Sequence, residues 1–169
     1  MIKFSSGQRG VMLIEAMIGI LIFAIGILAL IAMQATAIRA TQDARYRTEA
    51  VNYANDLLNQ IVVNVDRTNP TTLQSTLASF AHQGTTSGNC SFSGASSANA
   101  VVTSWAALVS GTSGLTPPPR LALPGTSASM VQILVDTSAG AYNMVTITVC
   151  WKAPDDPVAR KHTLISYVT

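Results

Sequence analysis

The chain has 169 residues, of which 49% are hydrophobic and only 11% are charged. Charged residues make up about a quarter of an ordinary soluble domain, so part of this chain is expected to lie away from bulk water. The formal net charge is +2, and two of the basic residues, Lys3 and Arg9, precede a long apolar segment. The remainder is close to neutral and poor in aromatic residues, which argues against nucleic-acid binding by charge or by base stacking.

The apolar segment comprises residues 11–33, in which Glu15 is the single charged residue. As a helix it would extend about 35 Å, enough to cross a hydrocarbon core of about 30 Å. It is too long for the apolar run of a secretory signal peptide, and it is not followed by a small-x-small cleavage site with a polar mature start after it. A carboxylate inside a membrane span is costly and indicates a function by default. The alternative is a plain single-span anchor whose glutamate reaches the membrane interface.

The residues at the start of this segment form a specific pattern. A short basic leader without acidic residues, then Gly10, four apolar residues and Glu15, resembles the class III signal of type IV prepilins. The resemblance implies that prepilin peptidase cuts after Gly10 and that the new N-terminal amine of Val11 is methylated. It also implies that Glu15 is the carboxylate needed for assembly. Because a buried amine and a buried carboxylate offset each other's desolvation when they pair, we expect Glu15 to set the register between neighbouring subunits.

The helix is expected to continue through residues 34–66, which contain neither proline nor glycine. Apolar residues recur there at the spacing of one buried helical face: Ile38, Val51, Ala54, Leu57, Leu58, Ile61, Val62 and Val65. The sequence therefore predicts one helix over residues 11–66, about 84 Å long at 1.5 Å per residue. Its first half is apolar and its second half is amphipathic. Asn69 and Pro70 mark its end.

A second, short helix is predicted after this end. Pro70 suits a first helical turn, and Leu73, Leu77 and Phe80 follow at helical spacing.

Residues 84–100 are rich in Gly, Ser, Asn and Thr and are predicted to form a loop that carries Cys90. Residues 101–109 predict a short helix presenting Trp105, with a strand as the alternative. The prolines at 117–119 predict a turn or an extended linker.

Three runs of alternating apolar and polar residues, 129–136, 142–151 and 161–168, predict an antiparallel meander because short turns connect them. The amphipathic half of the long helix is its expected cover.

The chain has two cysteines, Cys90 and Cys150, and the second lies in the middle strand. A chain that follows a membrane helix with positive charge before it is exported, to a compartment where disulfides persist. We therefore predict a disulfide, which would stabilise the head by about 4 kcal/mol in the chain-entropy model. Two separate buried thiols are the alternative.

Together these elements predict an α+β chain with the pilin fold, a long N-terminal helix packed on a small antiparallel β-sheet. The predicted organisation is a leader (residues 1–10), a transmembrane and filament-core helix (11–33) and a periplasmic head (34–169). Within the head we expect the amphipathic helix (34–66), a variable loop region (67–128) and the sheet (129–169). Residues 25–61, and the order of LPG, VTITVCW and a strand after His162, also resemble the PilV-type minor pilins.

The sequence predicts no catalytic residues, no metal site and no cofactor, and thus no enzyme. His82 and His162 lack carboxylate or cysteine neighbours at ligand spacing, and no nucleotide-binding or hydrolase motif occurs. Asp155 and Asp156, flanked by prolines, are interpreted as a turn and not as a calcium site. The two tryptophans, Trp105 and Trp151, are expected in the core.

The leading hypothesis is a minor pilin of a type IV pilus with a role in pilus assembly and twitching motility. The resemblance implies a single-pass protein of the bacterial inner membrane, with a periplasmic head, that later becomes part of the surface pilus. Its implied partners are the prepilin peptidase/methyltransferase, other pilins through the N-terminal helix, and the inner-membrane assembly machinery. The alternatives are a minor pseudopilin of a type II secretion system and a tip adhesin or DNA-uptake module that binds through residues 84–100.

Overall fold

The computed structural model describes residues 9–114, 122–154 and 156–169, with only the backbone described for Arg9 and Gly10. Most of the predicted leader, the prolines at 117–119 and Asp155 lie outside the described residues. The chain forms two compact units, Met1–Ala44 and Arg45–Thr169. The predicted division into leader, membrane helix and head remains a prediction.

A single helix, α1, runs over Arg9–Asn64 and ends two residues before its predicted end. In the first unit every side chain over residues 11–42 is exposed. By length and composition this helix could cross a membrane, and nothing among the described residues of its unit covers its apolar surface.

The second unit contains the core. One face of the last turns of α1 is fully buried there, at Ala50, Tyr53, Ala54, Leu57 and Ile61. The predicted amphipathic pattern is confirmed in this stretch. Ile38 and Val62, which share the apolar spacing, are exposed.

Two shorter helices contribute buried side chains to the same core, and both confirm their predictions. Helix α2 is Pro70–Ala78, and Asn69 caps it by accepting a hydrogen bond from the Thr72 backbone N–H at 2.8 Å. Helix α3 is Ala100–Ser110 and ends at Gly111, whose φ of 74° is the left-handed conformation that favours glycine. The strand alternative for this stretch is thereby wrong.

The prediction of a loop over residues 84–100 is partly wrong. Strands β1 (Thr85–Gly88) and β2 (Ser91–Ser93) pair antiparallel within it. These residues are small and polar, so the sequence has no alternation of apolar residues that would predict a strand. The hairpin is instead held by contacts with residues that are distant in the sequence.

The predicted meander is confirmed. A one-turn 3₁₀ helix, Ala128–Met130, leads into β3 (Val131–Asp136), which pairs antiparallel with β4 (Met144–Trp151), and β4 pairs antiparallel with β5 (Arg160–Tyr167). Both pairings keep one register throughout.

One face of this sheet is part of the core. Its buried side chains are Val131, Ile133, Val145, Ile147, Val149 and Trp151. Trp105 is buried with them, and its indole N–H donates to the Tyr53 carbonyl at 2.9 Å. A long helix packed on a small antiparallel sheet is the predicted α+β pilin fold.

Candidate assembly site

The candidate assembly residues lie in the first turns of α1. Val11 and Glu15 are four residues apart in one helix, so they share a face and are separated along the axis by about 6 Å. Both side chains are exposed. Gly10 belongs to the same helix, so the predicted cleavage would cut within a helical segment and leave Val11 at its new end.

Cleavage would change the chemistry of this turn. In the intact chain the nitrogen of Val11 is an uncharged amide, and Glu15 carries the only charge over residues 11–33. Cutting after Gly10 turns that nitrogen into an amine, which is positive when protonated. A carboxylate then stands one turn from a cation and near the positive end of the helix dipole, where it is favoured.

The surroundings of Glu15 are apolar on every side of the helix. The large hydrophobic residues of this stretch are all at least 41% exposed. A helix that is apolar all round is found buried in a membrane or among other helices. In either place a lone carboxylate is costly and a paired one much less so.

The predicted disulfide between Cys90 and Cys150 is present, with Cα atoms 5.8 Å apart. Cys90 occupies the turn between β1 and β2, and Cys150 lies in β4. Around them Phe92 is buried, and Met130 and Ala159 pack against the pair. The bond therefore joins the β1–β2 hairpin to the sheet face opposite the core.

A buried polar cluster reinforces this attachment. The Gln132 side-chain amide donates to the Gln83 carbonyl at 2.8 Å and to the Thr86 hydroxyl at 3.3 Å. The Gln83 amide donates to the Ala128 carbonyl at 2.8 Å. Sequence reasoning missed this cluster, because isolated glutamines carry no periodic signal.

His82 lies beside the cluster and forms a two-way backbone bridge with Ile133, at 3.0 and 2.9 Å. Its imidazole Nδ1 accepts the backbone N–H of Ser97 at 3.1 Å. Burial lowers the pKa of His82, and the nearby Ala128 carbonyl offsets part of that effect. His82 is thus a buried residue that packs between Ile133 and Ser97.

The head brings no reactive constellation together within the described ranges. No three His, Cys, Asp or Glu residues of those ranges are grouped to hold a metal ion. Asp156, part of the predicted turn, forms an ion pair with Arg160 at 2.8 Å. Two depressions beside α3, of about 200 and 370 Å³, have only one acidic residue, Asp56, in their walls.

Comparison with known proteins identifies a similarity to a pilin family. Residues 32–103 match the Tt1218-like family, described as type IV pilin Tt1218. The match covers less than half of the chain and begins after Glu15, so it is independent of the N-terminal motif. It supports a type IV pilin-like protein and, with that, a structural subunit. No curated protein sequence and no solved structure matches significantly.

Proposed function

We propose that this chain is a minor pilin, a structural and assembly subunit of a type IV pilus. It is made as a prepilin, cut between Gly10 and Val11, and methylated on the Val11 amine. It enters the filament through the apolar half of α1. Before assembly the protein is held in the bacterial inner membrane with its head in the periplasm.

One observation carries the proposal. Residues 11–33 of α1 expose apolar side chains on all sides, directly follow a glycine, and contain a single carboxylate, that of Glu15, four residues after Val11. A plain anchor has no need of that carboxylate. In a bundle of such helices, the amine of each subunit pairs with a carboxylate, either its own or that of a neighbour. The pairing offsets the cost of removing both charges from water.

A minor subunit is favoured over a major one by the sequence of the span. Many major pilins carry a helix-breaking proline about twenty residues into the mature chain, whereas this stretch reads Ile31-Ala32-Met33 within an unbroken helix. The looser resemblance to PilV-type minor pilins points the same way.

Cleavage is tested by Gly10→Leu. We expect the variant to retain its leader, because in the prepilin signal that this sequence resembles the peptidase cuts after a glycine, and mass spectrometry of the N-terminus measures this directly. The matched control is Gly19→Leu, since a side chain at Gly19 meets nothing within 4 Å and lies beyond the junction. Normal processing of the Gly10 variant would overturn the proposal.

Assembly is tested by Glu15→Leu. We expect this variant to be cut normally but to be at least tenfold depleted from sheared filaments, since its neighbours' amines lose their buried partner. Glu49→Leu, which removes a carboxylate from the second half of α1, is the control and should be incorporated. Equal incorporation of the Glu15 variant and the wild type would contradict the role assigned to this carboxylate.

A further inference from the structure

Residues 94–99 connect the β1–β2 hairpin to α3, and hydrogen bonds to His82 and Gln83 hold them in place. The backbone N–H of Ser97 donates to Nδ1 of the His82 imidazole at 3.1 Å. Beside this bond, the backbone N–H of Gln83 donates to the carbonyl of Ala95 at 2.9 Å. His82 and Ser97 are only 5% and 8% exposed, so the hydrogen bond between them is shielded from water.

The same segment positions the first turn of α3. The Ser97 hydroxyl donates to the carbonyl of Ser79 at 2.7 Å and accepts the backbone N–H of Asn99 at 3.2 Å. Asn99 in turn caps α3, because its side-chain oxygen accepts the backbone N–H of Val101 at 3.0 Å. Ser97 therefore links the His82 imidazole to the start of a helix.

His82 lies in a part of the chain without charged side chains. Residues 68–119 and 121–135 contain no Asp, Glu, Lys or Arg. These ranges include α2, the β1–β2 hairpin, α3 and the 3₁₀ helix. Cys90 also lies within them, but its thiol is bonded to Cys150 and does not titrate. His82 is therefore the one side chain of these ranges whose charge changes near neutral pH.

The strand that pairs with His82 supplies no compensating charge. In β3, whose Ile133 exchanges two backbone hydrogen bonds with His82, the one charged residue is Asp136, and β4 contains none. The Asp136 side chain is exposed and accepts the Ser138 backbone N–H at 3.0 Å. It lies three positions from Ile133, about 10 Å along the strand. An imidazolium at His82 would therefore be buried without a carboxylate beside it, which is costly.

We propose that protonation of His82 releases residues 94–99, so that this segment and the start of α3 open in acid while the sheet stays folded. A protonated Nδ1 carries a hydrogen and can no longer accept the Ser97 N–H. The buried charge and the lost hydrogen bond both favour an open form in which the ring reaches water. The hairpin stays attached, because the disulfide and the hydrogen bonds of Gln132 do not involve the imidazole. The inference does not depend on the proposed filament role.

The opening has a definite pH dependence. In the open form His82 titrates with the ordinary histidine pKa of 6.5, whereas burial lowers its pKa in the closed form. The open form therefore binds the proton first as the pH falls below 6.5, and the closed form is favoured above that value. Between the two pKa values, each pH unit raises the equilibrium constant for opening by up to about tenfold.

Hydrogen–deuterium exchange of the full chain in detergent, at single-residue resolution, tests the opening. Between about pH 7.5 and about pH 5, we expect the protection factors of the Ser97 and Asn99 amides to fall at least fivefold. Protection factors correct for the intrinsic pH dependence of exchange.

A local opening also differs from global unfolding in its response to denaturant. The Ser97 amide should be less protected than the amides of β4 at every pH, and low urea concentrations should accelerate exchange in β4 only. Protection equal to that of β4, or protection of Ser97 that does not change with pH, would overturn the proposal.

Three variants separate the imidazole from a general loosening of the segment. His82→Asn keeps an acceptor but does not titrate, so protection of the Ser97 amide should no longer depend on pH. His162→Asn, in β5, is the matched control and should keep that dependence. Ser97→Ala removes the hydroxyl but keeps the backbone N–H, so it should lower protection of Asn99 at every pH and retain the pH dependence. The last test stands even where His82→Asn does not fold. Loss of the pH dependence in Ser97→Ala, or its persistence in folded His82→Asn, would refute the role of the imidazole.

Discussion

His82 is a buried histidine whose hydrogen bond and lowered pKa both favour the neutral imidazole. It is only 5% exposed, and its Nδ1 accepts a hydrogen bond from Ser97, so the neutral ring is the form that fits. Protonation would place an N–H on Nδ1 facing the N–H of Ser97. Burial, the larger influence, lowers the pKa of His82 below its ordinary value of 6.5.

This predicts acid sensitivity with a definite sign. Because the folded pKa is lowered, the unfolded chain takes up a proton first as pH falls below about 6.5. The folded protein therefore has its full stability above pH 6.5 and loses stability as the pH falls toward the pKa of His82 in the folded state. The total loss is about 1.4 kcal/mol for each pH unit between the pKa of the unfolded state and that of the folded state. Chemical denaturation at a series of pH values measures the effect.

The matched variants are His82→Asn and His162→Asn. Asparagine offers an oxygen in place of Nδ1 but does not titrate, so the first variant should lose the pH dependence in this window. His162 is only half-buried, and its variant should keep that dependence. Identical profiles for the wild type and His82→Asn would contradict the assignment.

Two carboxylates affect stability in a separate, more acidic pH range. Hydrogen bonds from the Thr68 hydroxyl and backbone lower the pKa of Asp66 below its ordinary value of 3.8. The Ser138 backbone and hydroxyl lower the pKa of Asp136 in the same way. The contributions of these two carboxylates to folding stability are complete above pH 3.8 and are lost only below it. They therefore do not overlap the pH range in which His82 affects stability.

At the scale of elements, Arg67 links the end of α1 to the end of the chain. The last carbonyls of a helix have no intrahelical partners. Arg67 Nη1 donates to the carbonyls of Val62 at 2.7 Å and of Val65 at 3.2 Å, and its Nε donates to the carbonyl of Thr169 at 2.9 Å. One guanidinium thus binds carbonyls at the end of the helix and ties them to Thr169, two residues after β5.

We therefore expect Arg67→Met to lower the free energy of unfolding by about 1–2 kcal/mol, the range for losing hydrogen bonds to a charged but exposed donor. Urea denaturation measures the change. The control is Arg47→Met, an exposed arginine of the same helix, which should change stability by less than about 0.5 kcal/mol. Equal effects of the two substitutions would show that the hydrogen bonds of Arg67 contribute nothing specific.

The β1–β2 hairpin shows where element prediction from sequence reaches its limit. Helices α1, α2 and α3 and strands β3 to β5 carry their own signals: apolar periodicity, an Asn-Pro cap and alternation. The hairpin carries none. It is ordered by the Cys90–Cys150 disulfide, by buried Phe92 and by Gln132, all of which act across large sequence separations.

At the scale of the whole molecule, the two units have opposite characters. The first is a helix that leaves its apolar surface uncovered, and the second has its own core and disulfide. A partner for the first unit is therefore required by the hydrophobic effect, whether lipid or other helices. The similarity to type IV pilins supports helices of other pilins.

Pilus and secretion roles make different predictions for the cell. If the chain is a minor pilin, deleting its gene should reduce piliation and twitching motility and leave exoprotein secretion intact. Complementation with the wild-type gene should restore motility, whereas the Glu15→Leu variant should not. Lost secretion with normal motility would instead indicate a pseudopilin of a type II secretion system.

The sequence by itself determined the long helix, its apolar first half, the position of Glu15 and the three-stranded meander. These follow from local periodicity and from single residues such as Pro70, which act within a few positions along the chain. Only the tertiary structure decided that residues 85–93 form a hairpin, that His82 bridges to one edge of the sheet and that no strand of the described residues pairs with the outer edge of β5. Those outcomes depend on which distant residues share a surface after packing, and that information is not contained in any short stretch of sequence.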